Sequence, residues 1–132
     1  MSQRILQINF KYNDLTAAEF EQAVDPMAEP IAQVDGLRWK IMMHNEGEAE
    51  AGGVYLFADA DTLNAFLAGP LVAQVVNHPA LSDFSVKQFG IMDESTAICR
   101  GPVGEENVAE GLPTGTPPPL SSVLADRNYA LM

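Results

Sequence analysis

The chain has 132 residues, of which 18 are acidic and 7 are basic, so its formal net charge is -11 at pH 7. That length predicts one domain with at most a short appendage. The charge argues against two partners, nucleic acid and an anionic membrane surface, because both need clustered Lys and Arg. The single cysteine cannot form an intrachain disulfide, and no stretch approaches the roughly 20 apolar residues of a membrane span. The N-terminal residues enter a strand pattern without the apolar core of a signal peptide, so we expect a cytoplasmic protein.

The first third of the chain predicts a strand followed by a broken helix. Apolar and polar residues alternate over residues 5–11, which is the period of a β-strand. Thr16, followed three positions later by Glu19, is a capping box that predicts the start of a helix. Pro26 and Pro30 interrupt the apolar stripe of that helix, so we expect a kink or two short segments.

A two-stranded hairpin is predicted between Gly36 and Asp59. Its first strand, residues 37–44, alternates aliphatic with mostly polar side chains, and its second strand, residues 54–58, is apolar throughout. Because successive strand residues point to opposite faces, each strand has one plainly apolar face. The other face mixes polar and aromatic groups, which is typical of a cavity partly shielded from water or of an interface.

Two more helices and a last strand complete the pattern. Asp59 or Asp61 caps a second helix, and Gly69 followed by Pro70 ends it and starts a third. The last strand is predicted over residues 84–93. The order β-α-β-β-α-β predicts a ferredoxin-like α+β fold with an antiparallel four-stranded sheet.

The C-terminal part has a different composition. Residues 1–98 form the predicted α+β domain, and residues 99–132 form a Pro/Gly-rich extension without periodicity, which is typical of disorder. Ordering a backbone costs roughly 1–2 kcal/mol per residue. If the extension is ordered, we therefore expect it to dock apolar side chains on its own domain or on a partner chain. The candidates are Leu120, Val123, Leu124, Tyr129, Leu131 and Met132.

Four segments carry a family resemblance. They are QINFKYN at 7–13, GLRWKIMMHNE at 36–46, EAGGVYLFAD at 50–59 and VKQFGI at 86–91. With these segments in the same order, roughly residues 3–98 resemble the YdhR family of proposed monooxygenases. The resemblance implies a dimeric α+β barrel, in which ferredoxin-like monomers pair through their sheets.

The mixed face of the predicted sheet is the strongest candidate site. If the aliphatic faces all contact the helices, the opposite face carries Gln7, Asn9, Arg38, Lys40, Met42, His44, Tyr55 and Phe57. The resemblance implies that this face lines a cavity and the subunit interface. Apolar walls with a few convergent polar groups are typical of a ligand site. The alternative is that these residues only join two sheets.

Three of these side chains, Tyr55, His44 and Asn9, are the predicted catalytic residues. Tyr55 can donate or accept a hydrogen bond from an apolar wall. His44 could act as a general base, although the neighbouring carboxylates would hold a proton on it. The predicted substrate contacts are Gln7, Lys40, Met42, Phe57 and Trp39. Trp39 lies on the aliphatic face, so a packed core position is the preferred interpretation there.

The sequence leaves three functions open. Family resemblance implies a cofactor-independent monooxygenase acting on a small aromatic or polyketide-like substrate, and no metal and no cofactor are predicted. The absence of a compact acid/base pair favours the alternative, a non-catalytic module that binds a small apolar molecule or serves assembly. Haem-degrading relatives on this fold use an Asn, a Trp and a His. Asn9 and His78 are similar to that pattern, but Phe66 stands nearest to the missing tryptophan.

The same face predicts a homodimer or a higher homo-oligomer. Met42, Tyr55 and Phe57 would form an exposed apolar patch too large for a stable monomer. Packing two such faces about 10 Å apart would cover the patch.

Overall fold

The computed structural model of the protein describes residues 2–103. The strands are β1 (Arg4–Tyr12), β2 (Leu37–Asn45), β3 (Glu50–Phe57) and β4 (Leu81–Phe89). The helices are α1 (Ala17–Val24), α2 (Ala28–Ala32), α3 (Ala60–Leu67), α4 (Pro70–Val76) and α5 (Asp93–Ile98). The strands form one antiparallel sheet in the order β2-β3-β1-β4, which confirms the predicted ferredoxin-like α+β fold. No helix within residues 2–103 is long and apolar enough to cross a bilayer.

Local sequence signals set the helix boundaries. Thr16 caps α1, because its hydroxyl accepts from the Glu19 N–H while the Glu19 carboxylate accepts from the Thr16 N–H, as predicted. Asp59 caps α3 by accepting from the Thr62 N–H, and the hydrogen bonds from Thr62 hold the pKa of Asp59 below its ordinary value. Pro26 breaks the first helical region, where Asp25–Met27 forms a 3-10 turn between α1 and α2, whereas Pro30 lies in the first turn of α2.

The end of the described chain differs from the prediction. β4 ends at Phe89 rather than near residue 93, and it is followed by α5, which was not predicted. β4 and β2 are opposite edges of the sheet, yet the chain after α5 returns to β2, where Trp39 Nε1 donates to the Pro102 carbonyl at 2.7 Å. The apolar docking residues predicted between Leu120 and Met132 lie outside the described residues.

The hydrophobic core lies between the helices and one face of the sheet. Cross-strand partners share a face, and the register pairs Leu6 with Tyr55 and Tyr55 with Lys40. That inner face packs on the helices in a buried cluster of Leu6, Ile8, Ile31, Tyr55, Phe57, Leu63 and Phe66. We call the opposite side of the sheet the outer face.

The predicted assignment of faces is wrong for β2 and β3. The inner face carries Lys40, Met42, His44, Tyr55 and Phe57. The outer face carries Gln7, Asn9, Trp39, Ile41, Met43, Val54 and Leu56. A register shift between Leu37 and Trp39 turns these two residues to opposite faces. β3 is also a central strand with large apolar side chains on both faces, so its sequence does not tell the faces apart.

Candidate active site

A cavity of about 290 Å³ lies between the helices and the inner face of the sheet. Its walls are mainly apolar and include Ile8, Phe10, Phe20, Ile31, Phe66 and Val72. The volume is at the lower end of the range for small-molecule sites, which is about 300–1,000 Å³. The cavity therefore fits a small, largely apolar ligand.

Four predicted site residues meet in this cavity. Lys40, Met42 and His44 alternate along β2 and so point to the same side, and Tyr55 lies opposite Lys40 on β3. Glu21 of α1 borders the cavity from the helical side. The predicted grouping of these four strand residues is thus correct, although they face the helices.

Lys40 and Tyr55 form a contact pair in the cavity wall. Lys40 Nζ lies 4.5 Å from the centroid of the Tyr55 ring, within range of a cation–π interaction. Burial lowers the pKa of Lys40 to about 8 and raises the pKa of Tyr55 to about 12, because an apolar environment disfavours the charged form of each group. At neutral pH, Tyr55 is therefore a neutral phenol that can donate a hydrogen bond.

Gly53 leaves the space that the Lys40 side chain occupies. A Cβ atom on Gly53 would lie 2.5 Å from Lys40 Cε and 3.4 Å from Nζ. Any larger residue at this position must displace the lysine. The second glycine of the EAGGVYLF segment thus positions the amine over the ring of Tyr55.

His44 is held at both ring nitrogens. Nε2 lies 2.8 Å from the Tyr12 hydroxyl, and Nδ1 lies 2.8 Å from Glu21 Oε2. The Tyr12 ring stacks on Phe20 with centroids 4.5 Å apart, which fixes the hydroxyl in place. With the proton on Nδ1, the imidazole donates to Glu21 and accepts from the Tyr12 O–H. A general base needs a nitrogen within reach of the substrate proton, and this arrangement leaves neither nitrogen free.

The same corner contains a set of possible metal ligands. Glu21, His44 and Glu46 each offer one ligand atom, and these atoms lie within 4.8 Å of one another. Both carboxylates are exposed, and His44 Nδ1 is already hydrogen-bonded to Glu21. Exposed acidic groups commonly cluster in this way without a metal, so the absence of a metal site stays a prediction.

Four other predicted site residues do not line the cavity. Gln7 Nε2 donates to Asn9 Oδ1 at 3.3 Å on the outer face, and Asn9 Nδ2 donates to Glu50 at 3.4 Å. Trp39 is also on the outer face. Phe57 is fully buried in the core, where its ring centroid lies 5.5 Å from that of Phe66. None of the four reaches a ligand in this cavity directly.

Tyr12 and Glu21 were not predicted as site residues from the sequence. Each is separated from His44 by more than twenty residues. The Tyr12 contact depends on the order of the strands in the sheet, and the Glu21 contact depends on how α1 packs against the sheet. Tyr12 ends β1 on the same face as Phe10, which is the one sequence signal that places it near the helices.

A protein-family model covers most of this chain. A family model described as "Putative mono-oxygenase ydhR" matches residues 5–102. The chain belongs to the ydhR family. The match includes every residue that lines the cavity, so the site lies within the part that ydhR proteins share. Among curated proteins, none matches the chain significantly.

Solved structures share the fold of this ydhR protein at low identity. A protein of unknown function from Nitrosomonas europaea is 17% identical, with a TM-score of 0.59, over 70% of this chain and 91% of that one. SnoaB, a cofactor-independent oxygenase from Streptomyces nogalater, is 18% identical, with a TM-score of 0.57, over 70% and 96%. The heme-degrader MhuD from Mycobacterium tuberculosis, solved with two hemes in its active site, is 18% identical, with a TM-score of 0.52, over 67% and 95%. At these identities the similarity shows the fold alone.

Proposed function

We propose that this protein is a cofactor-independent monooxygenase that acts on a small aromatic or polyketide-like substrate in the inner cavity. The observation that carries the proposal is the cavity itself, with apolar walls and only a few polar side chains, among them Lys40 and Tyr55. Membership of the ydhR family supports the reaction class. SnoaB, described as a cofactor-independent oxygenase, shows that this fold can host such chemistry.

The chemistry needs little from the protein. An anthrone-type substrate loses a proton from its CH₂ group, and the carbanion passes one electron to dioxygen. The radical and superoxide combine to a peroxide anion, which takes up the proton lost in the first step and becomes a hydroperoxide. The hydroperoxide loses water to leave a ketone, so one oxygen atom enters the product and the other leaves in water. The protein must exclude bulk water and orient the ring. The apolar walls serve both purposes, and the Tyr55 hydroxyl can donate to the substrate oxygen.

Replacing Tyr55 with Phe should lower turnover of an anthrone-type substrate by about tenfold or more, the scale of losing one hydrogen-bond donor to a developing anion. The ring stays, with its packing on Phe66 and its contact with Lys40, so we expect the unfolding curve to change little. Oxygen consumption and quinone absorbance, compared under air and nitrogen, measure the effect. Equal rates in both proteins would remove Tyr55 from the mechanism.

A non-catalytic module that binds a small apolar molecule is the second candidate. His44 favours it, because both of its ring nitrogens are engaged by protein groups. Tight binding of the anthrone without oxygen consumption would support this function. Haem degradation has less support, since Asn9 and His78 do not line the cavity, and His78 Nδ1 instead accepts from the Ala80 N–H. The cytoplasmic location stays a prediction from sequence.

We also propose a homodimer formed through the outer face. The apolar patch differs from the predicted one, because Tyr55 and Phe57 are buried, whereas Ile41 is 54% exposed and Phe89 is 45% exposed on the outer face. Exposed apolar patches on a sheet are typical of interfaces between proteins.

Replacing Ile41 with Asp should convert the dimer to a folded monomer, because a carboxylate is costly at a buried interface and tolerated at an exposed position. Val76→Asp is the matched control, since Val76 is 49% exposed but lies on the helical side. Sedimentation and circular dichroism give mass and fold. A wild-type monomer at micromolar concentration, or a dimer that survives Ile41→Asp, would contradict the proposal.

A further inference from the structure

We propose that the cavity takes its aromatic substrate as an anion, a phenolate or enolate, with the Lys40 ammonium as counter-ion; this proposal rests on the proposed function, because it names the substrate class of the same cavity. The placement of Lys40, its lack of a protein partner and the composition of the surrounding walls support it.

Lys40 has no anionic partner within residues 2–103. Lys40 forms neither a hydrogen bond nor an ion pair there, and its ammonium contacts the ring face of Tyr55. An ammonium that is partly removed from water without an anion is unfavourable. A ligand that supplies a negative charge would remove that cost, which gives the part of the cavity beside Nζ a preference for anions.

The other titratable groups around the cavity leave this preference intact. Glu21 and Asp25 border it from the helical side, and Glu21 is already bound to His44. Tyr55 on β3 stays neutral at ordinary pH because burial raises its pKa. The wall from α3, α4 and β4 is apolar and consists of Phe66, Leu71, Val72, Val75, Val76, Leu81, Phe84 and Val86. Among the residues that line the cavity, Lys40 therefore supplies the ammonium that a ligand can meet.

The same arrangement acts on the acidity of the ligand. In apolar surroundings the attraction between the ammonium and a ligand oxyanion is stronger than in water, so the pKa of a bound phenol or enol falls. The deprotonated aromatic is also the species that passes an electron to dioxygen in the proposed reaction. Gly53 contributes by leaving room for the amine to lie over the site.

The first test uses two probes that differ only in whether the 7-oxygen carries an ionisable hydrogen or a methyl group. 7-Hydroxycoumarin has distinct absorption bands for its neutral and anionic forms, and 7-methoxycoumarin cannot ionise. Under nitrogen, at a pH below the pKa of free 7-hydroxycoumarin, the full-length protein should bind it as the anion. Lys40→Met keeps the apolar stem and removes the charge, so it should show no anion band and bind about tenfold more weakly. 7-Methoxycoumarin should bind both proteins equally.

A second test follows the charge of Lys40 with 2-naphthoate, whose carboxylate stays ionised at every pH of the titration. Burial lowers the pKa of Lys40 to about 8, so the wild-type affinity should be constant below pH 8 and should fall above it by about tenfold in total, the loss expected for removing the charge. Lys40→Arg keeps its charge, so its affinity for 2-naphthoate should not change with pH.

Gly53→Ala displaces the amine without removing it and should weaken the anion band of 7-hydroxycoumarin.

No anion band in the wild type, an equal band in Lys40→Met, or no binding of 2-naphthoate would overturn the proposal. Because dioxygen is excluded, these results are independent of turnover. An anion band without later oxygen consumption would leave anion binding standing and reject the oxygenase. Oxygen consumption without an anion band would reject anion binding alone.

Discussion

Replacing Gly52 with Ala should destabilise the domain by about 3 kcal/mol or more, the upper end of the cost of overpacking. A Cβ atom on Gly52 would lie 1.9 Å from the carbonyl oxygen of Ile8 and 2.9 Å from the Cα atom of Asn9. Both atoms belong to the backbone of β1, which pairs with β3 at the centre of the sheet. Relief therefore requires the two central strands to move apart. Urea unfolding followed by circular dichroism measures the loss.

The adjacent glycine is the matched control. In Gly53→Ala the new Cβ meets Lys40 Cε, near the end of a flexible side chain that can move away. The nearest backbone atom, the carbonyl oxygen of Ile41, would lie 3.3 Å from the new Cβ and has to move only slightly, so we expect a loss below about 1 kcal/mol. If Gly52→Ala and Gly53→Ala unfold at the same urea concentration, the close approach between β1 and β3 is not what requires glycine at position 52.

The order of the elements could be predicted because its signals are local. The capping box of Thr16 and Glu19 and the start of α4 at Pro70 each involve residues a few positions apart. Such signals act within one turn, so tertiary contacts were not needed to locate them. The same holds for Pro26, which lies in the turn between α1 and α2.

The orientation of the sheet could not be predicted, because it depends on register. Strict alternation places Leu37 and Trp39 on one face, but the shift between them in the pairing of β2 with β3 turns Leu37 inward and Trp39 outward. In β3, Val54 and Leu56 are as apolar as Tyr55 and Phe57, so hydrophobicity alone assigns neither pair to the core.

The candidate site shows the same division. Alternation alone groups Lys40, Met42 and His44, and the structure keeps them together. Their contact with Glu21 requires the packing of α1 on the sheet, which no local pattern contains. The contact between Gly53 and the Lys40 side chain likewise joins two strands. It can be identified only once the register of β2 against β3 is known.

Replacing Phe57 with Ala should cost about 3–5 kcal/mol of unfolding free energy, the usual loss for a buried aromatic. Phe57 is 0% exposed, and its ring centroid lies 6.1 Å from that of Tyr55 and 5.5 Å from that of Phe66. The sequence suggested a substrate contact, whereas the structure places Phe57 in the core outside the cavity lining. Chemical denaturation of the variant measures the loss.

Two further variants separate packing from ligand contact at Phe57. Phe84→Ala removes the same ring from a half-buried position on β4, so it should cost less, roughly 1–2 kcal/mol. Phe57→Leu keeps most of the buried volume and should retain both stability and binding of 7-methoxycoumarin. If Phe57→Leu unfolds like the wild type but no longer binds 7-methoxycoumarin, the phenyl ring contacts the ligand directly. Unchanged stability would show that the core is intact, so the lost binding would come from the missing ring.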